Sequence, residues 1–396
     1  MHRILYFRRS ACRTPYTEPN AVRRTVIHSI GMRVLTALLL TAGLANAAGL
    51  QRLLYVTDKT GISVYDIDNG HKFVRKIDIP DSATYKGISA SVQLGKLYVT
   101  SNLKDDLICI DLATDKVVWR KHYKEGYVDS QAMSPDGKTI YIPMRDSDIW
   151  LVVDAATGDP KGQIKVAHGK PYAADDHPIL GVGPHNTWMN KDGSRVYMEV
   201  LTEPWVYIGD TKTNQLIGKV GPFSKGIRPF AVSDNEKYVY ANVDWLLGFE
   251  VGAVKDGAKW GGKMLHRVEA KTPPERIKQI PNPPARKPHS TPSHGINLTP
   301  NQKEVWVVDG VYGYLYVYDV SKLPPKHIAD VALFKDPSEQ PHPGWISFSI
   351  DGKYVYPDGG AVIDAKTKKV IARIPTSEKL IEIDFRDGKV VAVGRR

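Results

Sequence analysis

The chain alternates short hydrophobic runs with polar turns, and one such unit recurs along its length. In each copy a hydrophobic run leads into a turn built around Gly-Lys or an equivalent, and a second hydrophobic run follows. Clear and weaker copies together lie at residues 94–99, 134–142, 190–198, 233–240, 299–307 and 349–356. A unit of this size cannot bury its own apolar face, so the recurrence predicts repeats that stack on their neighbours.

Each unit continues with two more hydrophobic runs after the second. The third run ends in an Asp that begins a turn, as at residues 64–66 and 109–111, and a fourth run follows, as at residues 73–77 and 116–119. Runs rich in Val, Ile, Tyr and Trp between Asp-Gly and Pro turns are strand and hairpin signals. Four antiparallel strands in about 40 residues are typical of a β-propeller blade.

The predicted fold class is therefore all-β, a seven-bladed β-propeller of four-stranded antiparallel blades. The blade bodies are expected near residues 51–80, 84–122, 127–167, 183–221, 226–270, 293–334 and 343–375. The first unit lacks an innermost strand, which residues 380–385 are expected to supply, so that the ring closes without free sheet edges. Residues 389–393 form one more strand than this scheme uses, and an eight-bladed ring stays open as an alternative.

The repeat resembles the YVTN-type (YncE-like) β-propeller repeat of secreted bacterial proteins. The features that carry the resemblance are SPDGK before an aromatic–valine strand, then Val-x-Asp-x-x-Thr, with near copies of the namesake motif at residues 54–58 and 97–101. The resemblance spans essentially all of residues 51–396 and implies the propeller fold. Such propellers serve as binding modules, scaffolds and enzymes, so the resemblance does not choose among these functions.

The N-terminal region has the pattern of a targeting segment. Residues 34–45 form an apolar run of about a dozen residues, shorter than the roughly 20 that span a bilayer. The run follows Arg33 and ends in a small-x-small pattern at Ala47. We therefore expect a signal peptide within residues 1–47, cleaved after Ala47, and a periplasmic or secreted protein that is not integral to the membrane.

The predicted mature protein is a single propeller domain of residues 48–396. Residues 1–31 are either a long basic leader or the result of an upstream start-site error, in which case Met32 is the real start. The leader carries seven Arg and one Glu, so its removal lowers the formal charge from +11 to about +5. No Lys/Arg stripe with interleaved aromatic residues remains, and we expect no nucleic-acid partner.

Cysteine usage excludes some chemistry. Cys12 lies in the leader, and Cys109 is then alone in the apolar run at residues 107–110, where a buried and unreactive thiol is expected. The sequence contains no Cys-x-x-Cys-His, which excludes ordinary attachment of haem c.

Candidate site residues emerge from the repeat. In each repeat, one position of the innermost strand lies eight residues before the turn glycine or its equivalent. This position is occupied by Gly87, Asp129, His185, Arg228, His294 and Gly344. His342 lies two residues before Gly344 and so on the same side of its strand. Because innermost strands line the central channel of a propeller, these side chains are expected to ring one end of it, with Trp188 and Trp345 nearby.

Other polar residues are expected at the same end, which also receives the long connections between blades. The loops between second and third strands place Arg145, Asp148, Glu203, Asp244, Asp309 and Asp358 there. The long connections begin at residues 167, 271 and 337. Long loops on one face of a rigid scaffold are where binding usually occurs.

Three functions fit this cluster, and the sequence leaves them open. In the first, the protein binds a metal, with copper favoured, or a small molecule, and His185, His294 and His342 are the metal ligands of an oxidoreductase. In the second, a metal-free lyase or hydrolase uses Arg228 and Asp129 as catalytic residues, with Arg228 holding an anionic substrate and a histidine moving a proton. In the third, the protein is an interaction scaffold that binds a protein partner through residues 271–288.

Overall fold

The computed structural model describes most of the chain after the predicted leader. The described residues are 49–166, 183–201, 203–279, 292–334, 343–375 and 379–395. They form a seven-bladed β-propeller, as the repeat predicts. No helix in these ranges is long and apolar enough to cross a membrane.

Blades 2 to 7 are four-stranded antiparallel sheets whose strands follow chain order from the channel outwards. The innermost strands are β4 (Tyr85–Ser91), β8 (Ala132–Met133), β12 (Pro184–Met189), β16 (Ile227–Val232), β22 (Ile296–Leu298) and β26 (Ile346–Phe348). The second strands are β5 (Lys96–Ser101), β9 (Thr139–Pro143), β13 (Arg195–Val200), β17 (Tyr238–Val243), β23 (Glu304–Asp309) and β27 (Tyr354–Pro357).

The two outer positions of each blade differ in burial. The third strands are β6 (Asp106–Asp111), β10 (Ile149–Asp154), β14 (Val206–Asp210), β18 (Gly248–Ala253), β24 (Tyr314–Asp319) and β28 (Ala361–Asp364). The outermost strands are β7 (Lys116–His122), β11 (Pro160–Lys165), β15 (Gln215–Val220), β21 (Met264–Glu269), β25 (Lys326–Ala332) and β29 (Lys369–Arg373). Second and third strands are almost wholly buried, whereas outermost strands are largely exposed, because only the former are covered by neighbouring blades on both faces.

Blade 1 closes the ring as predicted. It contains β1 (Gln51–Thr57), β2 (Gly61–Asp66) and β3 (Lys72–Asp78), and its innermost strand is β30 (Leu380–Arg386) from the C-terminal region. β30 pairs antiparallel with β1, from Gln51 opposite Phe385 to Val56 opposite Leu380. Seven hydrophobic clusters in the described residues fill the seven spaces between neighbouring blades, including the space between blades 7 and 1.

The extra strand that allowed an eight-bladed alternative has a different location. It is β31 (Lys389–Val393), which pairs with the inner edge of β30 and makes blade 1 five-stranded. It therefore lies on the channel side of the ring. The remaining elements of the described residues are the short hairpin β19 (Lys255–Asp256) and β20 (Lys259–Trp260), and the helix α1 (Pro274–Gln279).

The recurring turn explains why the repeat has its residue types. In the copy at residues 134–138, the Ser134 hydroxyl donates to Asp136 and accepts from the amide of Thr139, and Asp136 accepts from the amide of Lys138. Gly137 has a φ of 69°, a left-handed conformation that glycine adopts without steric cost. The turn joins the first and second strands of a blade and lies at one end of the channel, here called the turn end.

Two other predictions concern Cys109 and the loop at residues 271–288. Cys109 is buried, as expected, and burial raises the pKa of its thiol to about 12. His71 is also buried, and its Nε2 lies 2.9 Å from the Tyr356 hydroxyl of blade 7. Part of the proposed partner loop is α1, whose Arg276 is buried and donates to the Tyr312 carbonyl, and residues 280–291 lie outside the described residues.

Candidate functional site at the histidine end of the channel

The polar residues predicted for the channel lie at the end opposite the turns, here called the histidine end. His185 and Arg228 belong to innermost strands, while Asp129 and His294 lie just before them. Asp129, His185 and Arg228 are buried, and His294 is half-buried. His342 lies outside the described residues, so its predicted place among them stays a prediction.

His185 makes the most unusual contact of this end. Its Nδ1 lies 2.5 Å from Oε1 of Glu199, a fully buried residue of the neighbouring strand β13. The Asn186 side-chain amide donates to the same Glu199 oxygen at 2.7 Å. Within the described part of the chain, the other oxygen of Glu199 is buried without a hydrogen-bond partner.

Burial shifts both titrating groups of this pair towards their uncharged forms. It raises the pKa of Glu199 well above the usual range for a carboxyl group. It lowers the pKa of His185 well below 6.5, and the positive charges of Arg145, Arg228, His294 and Lys379 lower it further. A neutral imidazole beside a protonated carboxyl and an imidazolium beside a carboxylate contain the same number of protons. One proton can therefore move within the pair without a change in its total charge.

Two blades carry the same ion pair with its charges exchanged. In blade 3, Arg145 Nη1 lies 3.1 Å from Asp129 Oδ2. In blade 5, Arg228 Nε lies 2.8 Å from Asp244 Oδ1. In both pairs the two residues are 16 positions apart, one at the innermost strand and the other in the loop after the second strand. The acidic residue comes first in blade 3, and the basic residue comes first in blade 5.

The blade 3 pair also reaches blade 4. Asp129 Oδ2 lies 3.9 Å from Nε2 of His185, and the backbone of Ser130 forms a bridge with Asn186. The histidine of blade 4 therefore has a carboxyl group near each ring nitrogen, Glu199 at Nδ1 and Asp129 near Nε2.

Blades 6 and 7 meet the site through a second histidine. His294 Nδ1 lies 2.9 Å from the Gly344 carbonyl, and its ring packs edge-on against Trp345. Asp358 accepts hydrogen bonds from the amides of Gly344 and Trp345. A Cβ at Gly344 would lie 3.3 Å from His294 Nδ1, so glycine at this position permits the close approach of the two strands.

Lys379 completes the charges around the site. Its ammonium group lies 3.3 Å from the centre of the Trp345 ring, a cation–π contact. Its backbone is bonded to Thr57, which fixes the start of β30 against blade 1. Basic side chains from blades 3 and 5 and from the ring-closing segment thus lie around the His185–Glu199 pair.

Some residues expected at this end have other partners. Asp148 forms an ion pair with Lys165 of the outermost strand. Glu203 accepts from the Tyr207 hydroxyl, and Asp309 from the Tyr316 hydroxyl and two turn amides. Trp188 lies further along the channel, where it lines cavities near the turn end.

Glu199, Asn186 and Lys379 were not identified from the sequence. Glu199 had a detectable signal, because it is a charged residue inside a hydrophobic run. The equivalent positions are Thr100, Pro143, Asn242 and Val308 in blades 2, 3, 5 and 6 and Asp358 in blade 7, so only blades 4 and 7 among these six have an acidic residue there. Lys379 had no such signal, since only ring closure brings it to the site.

The donor set gives limited support for a metal. Within the described residues, no group of three or more His, Cys, Asp and Glu side chains is arranged to hold a metal ion. His185 and His294 do share one property of metal ligands, since Nδ1 of each lies next to an oxygen acceptor.

Comparisons with known proteins support the fold. No protein-family model matches the sequence, and no curated protein matches it. Among solved structures, the chain is similar to Kuenenia stuttgartiensis hydrazine synthase, with a TM-score of 0.56 and 13% identity over 82% of this chain and 93% of that chain. At this level of identity the similarity shows a shared propeller architecture and carries nothing about activity.

Proposed function

We propose that this protein is an exported propeller of the YVTN type that binds a small anionic molecule at the histidine end and exchanges a proton with it through His185. The observation that carries the proposal is the buried His185–Glu199 contact beside the channel. Imidazole and carboxyl groups with strongly perturbed pKa values are typical of proton-transfer sites. Export rests on the signal-peptide pattern that ends at Ala47.

Three basic side chains favour an anionic ligand, and two of them are held in place by ion pairs with Asp129 and Asp244. Arg145, Arg228 and Lys379 act electrostatically on His185, together with His294, and lower its pKa. An anion bound among them offsets this effect and stabilises the imidazolium form of His185. Binding then favours uptake of one proton from solvent by the pair, so that His185 becomes imidazolium beside the protonated Glu199 carboxyl and can donate the added proton to the ligand. Proton donation by a histidine beside a bound anion is a step that a lyase or hydrolase can use on a carboxylated substrate.

The test of ligand class is a thermal-shift screen at pH 7 with acetate, succinate, citrate and benzoate, and with the corresponding amides. At least one carboxylate should raise the melting temperature in a saturable way, while its amide should not. Arg228→Gln should weaken the binding of that carboxylate at least tenfold, because it removes the blade 5 cation that acts on His185. The absence of any carboxylate effect, or full affinity in Arg228→Gln, would contradict the proposal.

The matched control is Arg195→Gln. Arg195 forms a two-point contact with Glu236, at 2.6 Å for each nitrogen, between blades 4 and 5 beside the turns. Its loss removes a comparable ion pair far from the histidine end, so stability should fall while affinity for the carboxylate stays unchanged.

Proton transfer is tested separately by calorimetry in buffers of different ionisation enthalpy. Carboxylate binding to the wild type should be accompanied by a change in bound protons, and His185→Gln should abolish that change. Glu199→Gln should alter its pH dependence, since Glu199 is the second titrating member of the pair. A proton count that is the same in all three proteins would refute the role of His185.

A copper site is the second candidate, and the orientation of two histidines favours it. Nδ1 of His185 and Nδ1 of His294 each contact an oxygen, so Nε2 is the nitrogen with which each would bind a metal. Imidazole suits copper, and bound copper would supply electron transfer for an oxidoreductase. His342 is the proposed third ligand.

Elemental analysis of purified protein tests the copper candidate. The protein should retain copper, and the double variant His294→Ala, His342→Ala should lose it. His327→Ala is the control, because His327 is exposed and paired with Asp330 on an outermost strand. Full metal retention in the double variant would contradict the assignment.

A further inference from the structure

β31 lies in the channel and divides its turn end into two cavities. The strand pairs with β30, and the Gly394 amide donates to the Glu382 carbonyl. One cavity, of about 330 Å³, lies between β31 and blades 2, 3 and 4. The other, of about 420 Å³, lies between β31 and blades 4, 5, 6 and 7. Both volumes are in the range of small-molecule sites.

Apolar side chains form most of both walls. The first cavity is lined by Ile88, Val92, Met133, Met189, Ile381 and Val393. The second is lined by Leu298, Phe348, Ile350 and Val393. Trp188 lines both, and its half-exposed indole offers an aromatic surface to either. Such walls favour the hydrocarbon part of a ligand.

The few charged groups lie where the two cavities meet. Lys191 and Arg395 line both, and Asp234 of the second cavity is the one carboxyl group among the residues that line either. Asp234 lies 3.0 Å from Arg395 Nη1 and 3.9 Å from Lys191 Nζ. Two cations thus share one carboxylate, and the junction has an excess positive charge.

The cations are accessible to a ligand. The Lys191 side chain is 72% exposed and that of Arg395 is 47% exposed. Arg395 is also held in place, since Nη2 donates to the Met189 carbonyl at 3.3 Å. A carboxylate can therefore reach both groups while its apolar part enters a cavity.

We propose that the turn end of the channel is a second ligand site, which binds a small amphipathic carboxylate. The hydrocarbon part packs in the two cavities, and the carboxylate binds Lys191 and Arg395. The site is separate from the histidine end, because His185 lies at the start of β12 and Lys191 lies in the turn after its end. A strand of this length separates the two ends by about 17–20 Å. It does not rest on the function proposed for the histidine end.

Calorimetric titration with octanoate tests this site. Octanoate should bind saturably, while octanamide and octyltrimethylammonium should bind at least tenfold more weakly, because they lack the negative charge. This comparison uses the wild-type protein and does not depend on the folding of a variant. No binding of octanoate, or equal binding of the three probes, would overturn the proposal.

Variants then locate the bound probe. The double variant Lys191→Gln, Arg395→Gln should bind octanoate at least tenfold more weakly than the wild type. Ala392→Phe places a ring in the first cavity and should also weaken octanoate binding. Lys212→Gln removes an exposed lysine from a turn on the outer rim and should change nothing. Arg228→Gln should also leave octanoate binding intact. Unchanged affinity in the double variant, or loss of affinity in Arg228→Gln, would refute the assignment.

Discussion

Two buried titrating groups at the junction of blades 1 and 7 should give opposite pH dependences of stability. His71 is 6% exposed, and its Nε2 contacts the Tyr356 hydroxyl across the junction. Burial, with the nearby positive charge of Arg52, lowers the pKa of His71 to about 4 from 6.5. Glu382 is 1% exposed, and burial raises its pKa to about 7 from 4.5, although Arg52 opposes that shift.

The signs follow from which state binds more protons. Between pH 6.5 and 4 the unfolded chain protonates His71 more readily, so the stability that His71 contributes is complete above pH 6.5 and is lost as the pH falls towards 4. Glu382 is protonated more readily in the folded state, so its contribution is complete below pH 4.5 and is lost as the pH rises through 7. A shift of 2.5 pKa units for His71 corresponds to about 3 kcal/mol.

Because the two contributions oppose each other, wild-type stability should change little from them between pH 4.5 and 6.5. His71→Asn removes one contribution, and asparagine tolerates the positive φ of 59° at this position. The variant should lose about 3 kcal/mol more relative to the wild type at pH 7 than at pH 4. Glu382→Gln should show the reverse trend, with its largest loss at low pH.

Urea denaturation between pH 4 and 7.5 measures these differences. His266→Asn is the control, since His266 lies opposite Val251 on the outermost strand β21 of blade 5, away from this junction. The free energy of unfolding of this variant should differ from that of the wild type by a constant amount across the range. If the difference in free energy of unfolding between His71→Asn and the wild type stays constant across this range, the reasoning is refuted, because loss of the Tyr356 contact alone does not depend on pH.

Two further predictions concern the repeat and ring closure. Gly137→Ala should lower the free energy of unfolding by about 2 kcal/mol, because its φ is 69° and an added Cβ would collide with Ser91. Gly95→Ala, at a φ of 60° with no atom within 4 Å of the added Cβ, should lower it by only about 1 kcal/mol. Urea titrations compare the two variants, and equal losses would show that the collision does not contribute. Deletion of residues 380–395 removes β30 with three buried apolar side chains, each contributing about 1.5–3 kcal/mol, so cooperative thermal unfolding by circular dichroism should disappear. A retained sharp transition would show that the ring does not need β30.

The sequence determined much of the fold. The repeated turn and the hydrophobic runs around it locate the four strands of each blade, because a unit with one buried face per strand has to stack on its neighbours. The same repeat placed Asp129, His185 and Arg228 at equivalent positions on the channel, and it gave residues 380–385 as the closing strand. The loop residues Arg145 and Asp244 followed from the register as well.

Only the tertiary structure decided which groups touch across blades. Glu199 meets His185 because two adjacent strands of blade 4 present them on one side, and Lys379 arrives only through ring closure. His71 is buried because blade 7 packs over a turn that looks exposed in the sequence. Burial then sets the pKa values of these groups, and burial depends on contacts between distant segments.

The position of β31 is the clearest feature that the sequence does not specify. Its hydrophobic run reads as a strand and fits an eighth blade as well as an inner strand, since the pattern of a strand does not specify the edge with which it pairs. The structure places it against β30 inside the channel. That choice creates the two cavities at the turn end, so the site proposed there depends on strand pairing and could not be obtained from the order of residues alone.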